Sequence, residues 1–174
     1  MAAEPQSRKT VNLFVDGVAN ETTGAWACVL EFGGHQKEME GHMAGTNPTR
    51  MEIFAVISGL GALKEPCDVC LYTKSMPLNR AFNARGLEIW PTTGWTHKDG
   101  TPVEERDLWQ ILKLQSRKHT VKCLYFSDFK KLPLNRRCTE LTAAAIGEYV
   151  RINTVPEDAE VYQEDIPDED DDKQ

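Results

Sequence analysis

Val11-Asn12-Leu13-Phe14-Val15-Asp16-Gly17 is the stretch on which the fold turns. Its side chains alternate as a strand's do, with Val11, Leu13 and Val15 on one face and Asn12, Phe14 and Asp16 on the other. A strand inside a sheet should not end on a lone carboxylate, because an unpaired buried charge costs several kcal/mol or neutralises itself. Asp16 is therefore either a turn residue, as the Asp-Gly pair suggests, or the first carboxylate of a site.

Working outward, Ala25 to Phe32 reads as a second strand and Gly33-Gly34 as a two-residue hairpin turn. His35 to Met43 is a third strand, polar enough to be an edge. A helix follows, with Asn47 or Thr49 near its N-cap and Pro48 in its first turn, running to about Lys64. Its expected buried stripe is Ile53, Phe54, Val56, Ile57, Leu60 and Leu63, with Glu52 in the first turn, where the helix dipole favours a carboxylate. Asp68 to Thr73 is a short apolar strand, expected to be central and parallel to the first, with Lys74 at its C-terminal end. Ser75 can cap a helix from about Met76 to Arg85. Leu87 to Val103 is irregular. Glu104 to about Arg117 is an amphipathic helix, Thr120 to Phe126 a fifth strand, and Pro133 to about Val150 a final helix.

The chain has 174 residues and a net charge of −7. That figure hides a segregation. Glu157 to Gln174 holds ten carboxylates and one lysine, and the remainder is slightly basic. From Lys113 to Arg137 there are eight cations (Lys113, Arg117, Lys118, Lys122, Lys130, Lys131, Arg136 and Arg137) against one acid, Asp128. These eight are candidate phosphate contacts, with Trp109, Tyr125 and Phe129 available for stacking; Trp109 also suits a core position. Residues 1–8 and the acidic 151–174 segment are expected to be disordered around one domain, residues 9–150. The five cysteines, odd in number and mostly within apolar runs, read as buried free thiols. Cys67-x-x-Cys70 lacks the second ligand pair a zinc site needs. No apolar run reaches membrane-spanning length, and Met1 to Lys9 has no signal-peptide core. These features place the chain in a reducing intracellular compartment, cytoplasmic or nuclear.

Three antiparallel strands, helix, strand, helices, strand and helix give an α/β fold: a mixed five-stranded sheet with helices on both faces. With Phe14-Val15-Asp16-Gly17, Thr46-Asn47-Pro48-Thr49-Arg50-Met51-Glu52, Leu71-Tyr72-Thr73-Lys74-Ser75, Asp107-Leu108-Trp109-Gln110 and Asn135-Arg136-Arg137-Cys138-Thr139-Glu140-Leu141 in that order, the chain resembles type 1 ribonuclease H over roughly Lys9 to Glu148. The resemblance implies cleavage of the RNA strand of RNA–DNA hybrids by two Mg²⁺ ions on four carboxylates. Such ions sit about 3.5–4 Å apart and take oxygen ligands.

Two of the four motifs keep their carboxylate, at Asp16 and Glu52. The family's Thr-Asp-Ser reads Thr73-Lys74-Ser75, and its Cys-Asp-Glu-Leu reads Cys138-Thr139-Glu140-Leu141. The histidine loop before the last helix is replaced by Ser127-Asp128-Phe129-Lys130-Lys131, and the basic protrusion has turned acidic, with Glu88, Asp99, Glu104, Glu105 and Asp107 against Lys98 and Arg106. The leading expectation is thus a ribonuclease H-like protein that does not cleave and needs no cofactor, with Lys74 paired to Asp16 or Glu52. It would bind nucleic acid (an RNA–DNA hybrid or structured RNA) or serve as a protein-interaction module in a larger nucleoprotein or viral assembly. The alternative is an active endoribonuclease using Mg²⁺ or Mn²⁺ on Asp16 and Glu52, with Asp128 or Glu140 as substitute ligands. Against Glu140, adjacent helix positions point about 100° apart.

Overall fold

The computed structural model describes residues 7–126 and 131–153. Asp128, Lys130 and the acidic segment beyond Asn153 lie outside these described residues.

Three strands come first along the chain: β1 (Lys9–Ala19), β2 (Thr23–Phe32) and β3 (His35–Ala44). They pair antiparallel, with Asp16 opposite Ala27 and Val29 opposite Glu38. Gly33 and Gly34 both have positive φ, as the tight β2–β3 turn requires. Helix α1 (Pro48–Gly61) follows, then β4 (Cys67–Thr73), α2 (Met76–Phe82), α3 (Gly86–Ile89) and a 3₁₀ turn at Trp90–Thr93. Helix α4 (Arg106–Ser116), β5 (Thr120–Tyr125) and α5 (Pro133–Asn153) complete the chain as described. The sheet order is β3-β2-β1-β4-β5, with β4 parallel to both β1 and β5. The mixed five-stranded α/β sheet expected from the sequence is therefore present, with β3 at one edge and β4 in the interior.

The alternation in β1 separates two cores. Val11, Leu13 and Val15 join Ile53, Val56, Leu60, Leu71, Leu108 and Leu112 on the face covered by α1 and α4. Phe14 joins Val29, Cys138 and Leu141 under α5 on the other. The α1 stripe differs in part from expectation: Phe54, Ile57 and Leu63 are only partly buried, whereas Met51, Glu52, Ala55 and Gly59 are buried. The helix is seated by close approach, which puts small residues inward. The region from Leu87 to Val103 carries α3 and the 3₁₀ turn, held by Trp90 packing on Trp95 and Trp109. Trp109 is buried, so it belongs to the core and offers no stacking face. Helix α5 runs three residues beyond the expected end. All five cysteines are free, and Cys70 alone is not fully buried. Among the described residues no helix is long and apolar enough to cross a membrane.

Candidate active site and its surroundings

The sheet brings Asp16 to its centre, because β1 is the middle strand and Asp16 faces α5 near its C-terminal end. The carboxylate is fully buried but has three partners. The Gly17 N–H donates to Oδ1 at 3.0 Å, Thr142 Oγ1 lies 3.2 Å from Oδ2, and Lys74 Nζ lies 3.0 Å from Oδ1. Asp16 is thus a site carboxylate within the strand and not a turn residue. The expected ion pair with Lys74 is present; the lysine side chain keeps 38% of its surface exposed.

Glu52 comes from α1, one full turn beyond the Asn47 cap, which accepts from the Arg50 N–H at 2.8 Å. It lies past the first turn, contrary to expectation, so the dipole gives it little support. It is buried against β1. Gly17 makes this possible, since a Cβ there would meet Met51 and Glu52 atoms at 2.7 Å. Burial pushes the Glu52 carboxyl up to about 7, against a hydrogen bond from Ser75 and the charge of Lys74; the Asp16 charge raises it further.

Thr73, Lys74 and Ser75 leave β4 beside both carboxylates. The Ser75 N–H donates to Thr73 Oγ1 at 2.9 Å, and Ser75 Oγ caps α2 by accepting from Leu78 N at 3.2 Å. On α5, Thr139 is half-buried and its hydroxyl turns back to the Asn135 carbonyl at 3.4 Å. The α5 residue that reaches Asp16 is Thr142, one turn later. The sequence reading missed it; its i+3 spacing from Thr139 was the available signal. Glu140 is exposed and bonded to Arg137 at 3.2 Å, away from Asp16.

Of the eight cations, Lys130 lies outside the described residues, and the other seven are spread over α4 and its end, β5 and the start of α5. Lys113 and Arg117 line grooves beside α4, and Lys118 is exposed just past it. Lys122 pairs across β4 from Cys70, in register with Asn12. Arg137 is engaged by Glu38 at 2.8 Å and by Glu140. Lys131 and Arg136 are exposed at the start of α5.

A family model described as RNase H matches residues 8–146. The chain belongs to the ribonuclease H family. A protein of Thermus thermophilus named Ribonuclease H is 44% identical over 135 residues, 76% of this chain and 81% of that protein. One from Symbiobacterium thermophilum, also named Ribonuclease H, is 41% identical over 141 residues, 80% of this chain and 96% of that protein. Among solved structures, LC9-RNase H1, a type 1 RNase H with the type 2 active-site motif, matches with a TM-score of 0.68 at 20% identity over 83% of this chain and 75% of that one. LC11-RNase H1 in complex with an RNA/DNA hybrid matches with a TM-score of 0.62 at 16% identity, over 80% of this chain and 99% of that one. At such identity these two speak for the ribonuclease H fold alone. The resemblance carried by the Asp16 and Glu52 motifs is borne out.

Proposed function

We propose that this ribonuclease H-family chain engages RNA–DNA hybrid or structured RNA without the two-metal cleavage associated with the fold. The observation that carries this reading is the Lys74 ammonium 3.0 Å from Asp16 Oδ1. The residues gathered there do not fit a pair of divalent ions. Each ion needs several oxygen ligands, and the site offers two carboxylates, one already neutralised by a charge-assisted hydrogen bond. Among the described residues no group of three or more His, Cys, Asp or Glu could hold a metal. Lys74 does for Asp16 electrostatically what a cation would do, and it repels a second positive charge.

Cleavage of a labelled RNA–DNA hybrid in Mg²⁺ or Mn²⁺ tests this reading. The natural chain should bind hybrid with an affinity that falls as salt rises, and should leave the RNA strand intact. Lys74→Asp/Thr139→Asp restores the two carboxylates and should gain metal-dependent cleavage.

The second reading, an active endoribonuclease acting on the RNA strand, is favoured by the 44% identity to a protein named Ribonuclease H. In its favour too, Asp16 and Glu52 stand together. Cleavage by the natural chain that disappears in Glu52→Gln would establish it and overturn the first.

A further inference from the structure

Of the three charged groups of the Asp16 site, Lys74 is the exposed one. Asp16, Thr73, Ser75 and Thr142 are 3% exposed or less and Glu52 8%, so both carboxylates are recessed. The Lys74 side chain keeps 38% of its surface exposed while its Nζ lies 3.0 Å from Asp16 Oδ1. A polyanion approaching this end of the sheet therefore meets the lysine before either carboxylate. Thr139, half-buried on α5, adds no charge here, and the exposed Glu140 next to it in sequence is held by Arg137 at 3.2 Å.

A site whose residues do not fit a metal pair must meet a phosphate in another way. Two bare carboxylates would repel a phosphodiester, which carries charge of the same sign. Here Asp16 has its counter-ion within the chain, so the Asp16–Lys74 pair presents no net charge. An ammonium has three N–H donors on a flexible stem, and one such group can be shared between a carboxylate behind it and a phosphate oxygen in front. The backbone that carries Lys74 is fixed on both sides. The Ser75 N–H donates to Thr73 Oγ1 at 2.9 Å, and Ser75 Oγ caps α2.

We propose that Lys74 is a phosphate-binding residue: its ammonium, seated on Asp16, contacts a backbone phosphodiester of the bound nucleic acid, so that docking at this site needs no divalent ion. This rests on the reading that the chain engages RNA–DNA hybrid or structured RNA, and it names the group that holds the backbone at the Asp16 site.

Binding of a labelled hybrid and of an RNA hairpin to the full chain in EDTA, read by fluorescence anisotropy over a range of salt, tests the contact. The natural chain should bind in EDTA, and Mg²⁺ at matched ionic strength should not strengthen the binding. Lys74→Met/Asp16→Asn removes the ammonium together with its buried partner and so keeps the net charge of the natural chain. It should bind several-fold more weakly, and the slope of log affinity against log salt should shrink by about 0.9, the counter-ion release of one phosphate contact. Asp16→Asn alone keeps the ammonium, removes the charge behind it and should bind more tightly, a gain that misfolding cannot produce. Unchanged affinity and slope in the double variant, no gain in Asp16→Asn, or binding that requires Mg²⁺ would overturn the proposal and leave the reading of a non-cleaving binder standing. Failure of the natural chain to bind either probe would overturn both.

Discussion

At the residue scale, Lys74 decides the electrostatics. Asp16 is buried completely, and removing its cation leaves the carboxylate with the Gly17 N–H and Thr142 hydroxyl alone. Breaking a fully buried pair costs about 3–5 kcal/mol; the exposure of Lys74 lowers that, so Lys74→Met should destabilise by about 1–2 kcal/mol in urea unfolding at pH 7. Adding Asp16→Asn should return most of the loss, because no unpaired charge remains. Glu52 gives the opposite pH signature to an ordinary ion-paired carboxylate. Its folded pKa of about 7 lies above the usual carboxylate range, so the folded state holds the proton that the unfolded chain has released. The Glu52 contribution to stability is greatest at low pH and declines as pH rises from the unfolded pKa to about 7. Glu52→Gln should therefore match the natural chain near pH 5 and exceed it above pH 8 by on the order of 2 kcal/mol; an equal gap at both values would refute the shift. The Lys74 pairing was legible in the sequence because a cation replaces a carboxylate at a fixed motif position. The Thr142 contact was signalled only by its i+3 spacing from Thr139, a weak cue, since a helical threonine reads much the same whether it faces a site or solvent.

At the element scale, α1 is seated on β1 by the absence of a side chain at Gly17. Gly17→Ala would put a methyl group against Met51 and Glu52. It should cost about 1–3 kcal/mol by overpacking, measured by urea unfolding, and should shift Glu52 relative to Asp16. The same helix is tied to α4 by Arg50, which reaches Glu105 at 2.6 Å and Asp107 at 2.9 Å. The strands, the edge position of β3 and the central position of β4 were readable from alternation, polarity and turn residues; the place of β5 was not. The inward face of α1 was read less well, because the helix lies close enough for Ala55 and Gly59 to be core. At the other end of the sheet, the Cys67 N–H donates to His119 Nδ1 at 3.1 Å, joining the starts of β4 and β5. Burial first, then the charges of Arg8 and Lys118, lowers the His119 pKa. As pH falls below about 6.5, the unfolded chain takes up the proton before the folded one does. The His119 contribution to stability is thus full above that pH and declines below it. His119→Gln, which keeps an acceptor, should flatten that part of the urea midpoint profile between pH 7 and 5; an unchanged slope would assign the dependence to other groups.

At the scale of the whole molecule, the governing feature is charge placed at a distance along the chain. The sequence showed the basic run and the acidic segment but not that the fold divides the run, leaving Lys113 and Arg117 in an apolar groove and binding Arg137 to Glu38. The ten carboxylates from Glu157 onward set the sign of the net charge of −7, and that net charge repels a polyanion at low salt. Converting Asp168, Glu169, Asp170, Asp171 and Asp172 to their amides in the full chain should raise hybrid affinity several-fold at about 50 mM salt, read by fluorescence anisotropy, and by little at about 500 mM. Relief of repulsion predicts a gain of the same size in a Lys113→Glu/Arg117→Glu background, since the same five charges are removed in both. A gain largely lost in that background would show that the acidic residues act through those two cations and not through net charge.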